Sequence, residues 1–209
     1  MGDIMVVWFI LTVQKLVPFG AICSAVSLEY FLVSLFSGVS ALVGGVGGVS
    51  ASRVSGVVAY SSILHGGWRL AACLFGKFEL FLYLGSYWLI LGCVCWLVGN
   101  DCYVFEVGKG PYSGNKWLFM WSFLSLGGFP PTLGFAVKLM VLIRRIKFFP
   151  WLGVVLVVGS LFRWGYYLLV VSFCILFAKQ RVGAPVGWVL RVCLLLSFFG
   201  GLFLPVLGV

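Results

Sequence analysis

Apolar runs of about 20 residues recur along the chain, separated by short clusters of charged and turn-forming residues, and this pattern predicts an all-α polytopic membrane protein. Seven transmembrane helices are expected, over 4–26, 30–49, 54–75, 80–99, 117–143, 151–178 and 186–207. Connections are short except for 100–116, where Asp101, Glu106, Lys109, Pro111, Gly114, Asn115 and Lys116 gather in a surface loop. No linker divides the chain, so 1–209 reads as a single transmembrane domain.

Composition sharpens the picture. Of 209 residues 63% are hydrophobic and 9% charged, against roughly a quarter charged in a soluble domain, so lipid is the solvent for this surface. The formal net charge of +9 is dispersed as single residues and short groups between apolar runs, as membrane anchors are, which argues for lipid contact and against nucleic acid. On alternating sides, Arg53, Lys109, Lys116, Lys179 and Arg181 balance Lys77, Arg144, Arg145, Lys147 and Arg69, so charge does not orient the chain. Cys23, Cys73, Cys93, Cys95, Cys102, Cys174 and Cys193 have neither zinc-ligand nor redox spacing, and no metal site is expected. The first residues lack a basic region and a small-residue cleavage site, so the first run reads as a retained span.

Two of the seven helices are expected to be discontinuous. Pro18 has no amide hydrogen for the carbonyl of Gln14, next to Lys15 in the first span. In the fifth, Gly127, Gly128, Pro130 and Pro131 interrupt the run, and the carbonyls of Leu126 and Gly127 lose their usual donors. Irregular backbone at membrane depth is tolerated where it is buried in protein or lines a wet cavity.

An ionisable group in mid-span costs at least about 2.5 to 3.5 kcal/mol, so it must face helices, water or a partner. Lys15, His65, Lys138 and Arg163 meet that test. Desolvation favours a neutral lysine and histidine titrates near neutrality, so Lys15, His65 and Lys138 form a candidate proton-translocation path. Gln14, Ser61 and Ser62 are its supporting polar residues, with Ser61 four residues before His65 and expected to orient the imidazole. The bland alternative has each lysine snorkelling to an interface and His65 bonding a neighbouring carbonyl. Arg163 is expected to pair with a lipid phosphate or an acidic neighbour chain, because arginine does not release its proton. The Trp, Phe and Tyr stripes read as lipid-facing surface. No nucleotide, metal or hydrolase motif occurs, and Asp3, Glu29, Glu79, Asp101 and Glu106 lie outside or at the ends of spans, so no catalytic residue is assigned.

Three segments carry a resemblance. Val13-Gln14-Lys15-Leu16-Val17-Pro18 is similar to Trp-Gln-Lys-x-Ala-Pro, with Val13 departing from Trp. Gly44-Gly45-Val46-Gly47-Gly48 precedes Ala59-Tyr60-Ser61-Ser62-Ile63-Leu64-His65-Gly66-Gly67-Trp68, and Leu124 to Lys138 contains a Gly-Gly-x-Pro-Pro break ending in a lysine. In order and spacing these resemble the subunit 2 family of NADH:ubiquinone oxidoreductase, respiratory complex I, whose members are antiporter-like.

The resemblance implies two inverted five-helix repeats within about fourteen spans, of which the seven here look like the eighth to the fourteenth: the C-terminal half, with the second repeat and flanking spans. It implies that Lys15 is a central-axis lysine, His65 a polar axis residue and Lys138 the lysine of the second broken helix. Arg163 matches no functional residue of the family. The implied role is a cofactor-free membrane-arm subunit in the mitochondrial inner membrane, a bacterial plasma membrane being the alternative. NADH, FMN, iron–sulfur clusters and ubiquinone belong to the parent complex, the other membrane-arm subunits are partners, and a separate chain supplies the missing N-terminal repeat. A sodium/proton antiporter fragment and a non-pumping remnant of the same fold are the competing readings.

Overall fold

The first predicted span folds as α1 (Gly2–Thr12), a 3-10 turn (Val13–Lys15) and α2 (Leu16–Ala25). Pro18 is the third residue of α2, where a missing amide hydrogen costs little, and the distortion instead covers Gln14, four residues earlier, whose carbonyl a proline ring displaces. The computed structural model describes residues 2–25, 30–98, 103–104, 116–130, 132–146 and 150–177, with positions 192, 195 and 197. Apart from positions 192, 195 and 197, the seventh expected span lies outside the described residues, as do Pro131 and nearly all of the 100–116 loop.

The remaining helices are α3 (Tyr30–Gly47), α4 (Val54–Cys73), α5 (Lys77–Val98), α6 (Lys116–Gly127), α7 (Leu133–Ile146) and α8 (Pro150–Phe177). The five predicted spans from 30–49 to 151–178 match these elements, the fifth being split into α6 and α7. Among the described residues three helices are long and apolar enough to cross a membrane, Tyr30–Ser50, Lys77–Val98 and Pro150–Leu176. The described residues are almost wholly helical, in keeping with a polytopic all-α membrane protein.

α3 lies closest to α4 and α8, and glycine sets that approach. A Cβ on Gly45 would sit 2.8 Å from the carbonyl oxygen of Gly159 in α8, and one on Gly44 would overlap the backbone of Leu64 in α4. Small residues at such crossings replace the hydrophobic drive that lipid does not provide with close van der Waals contact.

Burial is distributed as lipid solvation requires. α4 is enclosed over most of its length, with Val54, Leu64, Trp68, Ala71 and Ala72 packed inside, whereas α3 and α8 present Phe31, Phe36, Val43, Val154, Leu161 and Leu168 outward. The expectation that aromatic side chains are lipid-facing is corrected for the tyrosines. Tyr83, Tyr87, Tyr166 and Tyr167 are buried, and the hydroxyls of Tyr83 and Tyr167 pair with His65 and Ser61.

Gly45→Ala is expected to destabilise the α3–α8 crossing by about 1–3 kcal/mol, because the new methyl meets backbone that cannot rotate away. Gly165→Ala, with nothing near its added Cβ, should be neutral. Thermal melting of the detergent-solubilised assembly compares the two.

Candidate functional site

α6 ends in a Schellman turn: the Phe129 amide donates to the Leu124 carbonyl and the Gly128 amide to that of Ser125, both at 3.1 Å. Gly128 takes the left-handed conformation this motif needs, with φ of 79°. Thr132 then opens α7, donating from its amide (2.9 Å) and from its hydroxyl (2.6 Å) to the Phe129 carbonyl. The turn satisfies two carbonyls at the end of α6 and leaves that of Gly127 free.

Three side chains converge on the Gly127 oxygen: Lys138 Nζ donates at 2.6 Å, Arg163 Nη2 at 2.7 Å and Trp164 Nε1 at 3.1 Å. Lys138 reaches it from α7, pointing back toward the N-terminus of its own helix as helical side chains do. Arg163 and Trp164 come from the facing side of α8. The carbonyl end of α6 also carries the negative pole of the helix, which favours cations.

Arg163 Nη1 donates at 2.8 Å to Nε2 of His65. A guanidinium only donates, so Nε2 is the acceptor and the proton of the neutral ring sits on Nδ1, which donates to the Tyr83 hydroxyl at 2.7 Å. Tyr87 tilts against the same imidazole, with ring centroids 4.6 Å apart. Ser61 does not orient His65 as expected; its hydroxyl pairs with that of Tyr167 on α8, and Tyr83 on α5 holds the ring instead. Ser61 shares the helix face with His65, but its hydroxyl is taken by Tyr167.

Lys15 joins through α4. Its Nζ donates to the Ser62 hydroxyl at 3.1 Å, and the Ser62 carbonyl accepts from Arg69 Nη2 at 3.1 Å. Arg69 Nε donates at 3.0 Å to the His65 carbonyl, and its guanidinium lies over the rings of Phe19 and Tyr87 at 4.8 and 4.9 Å. A continuous polar chain thus runs Lys15–Ser62–Arg69–His65–Arg163–Gly127–Lys138.

Lys15, His65 and Lys138 are therefore brought together by two arginines that were assigned elsewhere. Arg69, expected at a membrane face, and Arg163, expected at a lipid phosphate or an acidic neighbour chain, are both 0% exposed. Both use backbone carbonyls and the faces of aromatic rings, a solvation that a linear pattern does not display. Gln14 and Pro18 are exposed and stand apart from the chain of contacts. Among the described residues, the hydrogen-bond partners of Lys15, Arg69, Lys138 and Arg163 are a hydroxyl, carbonyls and an imidazole, never a carboxylate. Arg69 Nη1, Arg163 Nε and the hydroxyls of Tyr87, Ser125 and Tyr166 are buried without a partner among the described residues. A cavity of about 10 Å³ beside His65, lined by Tyr83, Tyr87, Leu126, Gly134 and others, is at the lower limit for one water.

Fold and site together define an all-α polytopic membrane protein with ionisable side chains gathered at a broken helix. Relatives include NADH-ubiquinone oxidoreductase chain 2 of Branchiostoma lanceolatum, 31% identical over 163 residues covering 75% of this chain and 47% of the relative. The protein of that name from Carassius auratus is 32% identical over 142 residues, 65% of this chain and 40% of the relative. Among solved structures, respiratory complex I from Thermus thermophilus with bound aureothin contains a similar chain: TM-score 0.68, 25% identity, 83% of this chain and 44% of that one. No protein-family model matches. The chain belongs to the NADH-ubiquinone oxidoreductase chain 2 family, and it spans about half the length of the curated relatives it matches.

Gly128→Ala is expected to cost about 1–2 kcal/mol from the left-handed backbone alone. Its Cβ would also displace the Lys138 ammonium. Tyr83→Phe should cost about 1–3 kcal/mol by leaving His65 Nδ1–H unpaired. Gly20→Ala, unencumbered at its added Cβ, is the neutral control for thermal melting of the solubilised assembly.

Proposed function

We propose that the chain is a membrane-arm subunit of proton-pumping NADH:ubiquinone oxidoreductase and carries part of a proton path through Lys15, His65 and Lys138. The observation that carries this reading is Lys138, 7% exposed and bound to the freed carbonyl of a broken helix. Lipid-depth lysine without a carboxylate partner is costly to keep charged, and the same group is useful where a proton must be held and then surrendered. Gly127 oxygen solvates the ammonium; loss of a proton to water leaves an amine that the same pocket accommodates.

In this reading Lys15 gives up a proton by way of the Ser62 hydroxyl and intervening water toward His65, while the carbonyls and Arg69 hold the groups in place, and Lys138 takes the proton onward. Electron transfer from NADH through FMN and iron–sulfur clusters to ubiquinone is the work of other subunits, and this chain holds none of those groups. The family relationship and the apolar helices support a place in the mitochondrial inner membrane, a single transmembrane domain and contact with other membrane-arm subunits. This chain is proposed to provide the C-terminal half of the fold, packed against the family's N-terminal repeat.

Lys138→Met in the intact complex tests the reading. Assembly should be retained while the proton-to-electron ratio, measured in sealed vesicles with NADH and quinone, falls clearly below the parental value. An assembled variant with an unchanged ratio removes Lys138 from the path, and purification without NADH oxidoreductase subunits removes the complex.

A further inference from the structure

We propose that Arg163 is a gate on the proton step between His65 and Lys138, a positioning residue that holds the two apart while it bridges them. This rests on the relay assigned above and adds to it a residue and a state.

The geometry is specific. One guanidinium nitrogen donates to His65 Nε2 and another to the Gly127 oxygen, the atom on which Lys138 also rests. While the bridge stands, the lone pair with which His65 would take up a proton is occupied, since Nδ1 already donates to Tyr83. Arginine keeps its proton in proteins, so it blocks this position without conducting through it. Transfer requires Arg163 to leave Nε2. A proton bound there can then pass to the Lys138 amine directly or through one water, the N–H bond breaking at Nε2 and forming at Nζ, with no electrons exchanged.

The surroundings supply a reason for the bridge to be bistable. The groups facing His65 are Arg69 on its own helix, Tyr83 and Tyr87 on α5, Lys138 on α7 and Arg163 on α8, so the charged ones are all cations. Lys138 and Arg163 share one carbonyl, and each proton gained by Lys138 adds repulsion at that shared oxygen. Arg163 Nε has no partner among the described residues, so the guanidinium is held through its two terminal nitrogens, one on His65 and one on Gly127. Charging of Lys138 and release of His65 by Arg163 are coupled through Gly127.

The test uses the intact complex in proteoliposomes, with Arg163→Gln, Arg163→Lys, Lys138→Met and the exposed Arg53→Gln as charge-removal control. Passive proton leak under an imposed pH gradient and the proton-to-electron ratio are read together with quinone reductase activity. Without the gate, assembled Arg163→Gln should keep electron transfer, leak protons several-fold faster and lose stoichiometry, and Arg163→Lys, which keeps charge and a donor, should recover part of both. Parental leak and ratio in assembled Arg163→Gln, with a lowered ratio in Lys138→Met, overturn the gate alone. An unchanged ratio in Lys138→Met overturns the relay and the gate with it. Loss of assembly in both Arg163 variants assigns the residue to packing and overturns the gate.

Discussion

The free carbonyl of Gly127 is the constraint on which the interior depends. Gly128 turns the chain by a conformation that L side chains rarely adopt, the Schellman bonds use up the carbonyls of Leu124 and Ser125, and the Gly127 oxygen, two residues on, is met only by side chains. An unpaired carbonyl away from water costs free energy comparable to a lost hydrogen bond, so something must meet it. Here three donors do, from two helices, and two of them are cations. The broken helix thus supplies by backbone dipole the negative potential that a carboxylate supplies elsewhere.

That arrangement explains how four basic side chains share one interior without a described acid among their partners. Lys15 and Arg69 take a hydroxyl and helix carbonyls, and Arg69 adds two aromatic faces; Arg163 takes an imidazole and a carbonyl. Each contact is a dipole or quadrupole rather than a full charge, so none neutralises its cation. The close α3–α4 and α3–α8 crossings then matter for more than packing. By bringing backbones together at Gly44 and Gly45, they fix the spacing of the helices that carry Arg69, His65 and Arg163.

The fold was legible because its determinants are local. Apolar run length places the described helices within a few residues, and the missing amide hydrogens of Pro130 and Pro131 point to the carbonyls of Leu126 and Gly127. His65, Lys15 and Lys138 stood out by insertion cost alone. The arginines were misread for a physical reason: Arg69 lies four residues from a span end, where a long side chain can snorkel outward or fold inward, and only neighbouring helices decide. Arg163 passed the same mid-span test as the lysines, but its partners lie 98 and 36 residues away on α4 and α6. Tyr83 carried a weaker signal, a shared face with Tyr87 four residues on, which pattern alone does not separate from lipid-facing aromatic surface.

Two cationic side chains on one carbonyl make the site sensitive to small movements. Two unit charges about 4 Å apart at an effective dielectric of 20 interact by about 4 kcal/mol, and the interaction falls quickly with separation. The pieces that set that separation sit on different elements: the carbonyl on α6, the ammonium on α7, the guanidinium on α8 and the imidazole on α4. Displacement of any one element changes the balance at Gly127 by an amount comparable to a proton's occupancy. A helix broken at membrane depth therefore does two things at once: it exposes the acceptor that gathers the charges, and it separates α6 from α7 so that the acceptor and the lysine need not move as one rigid rod.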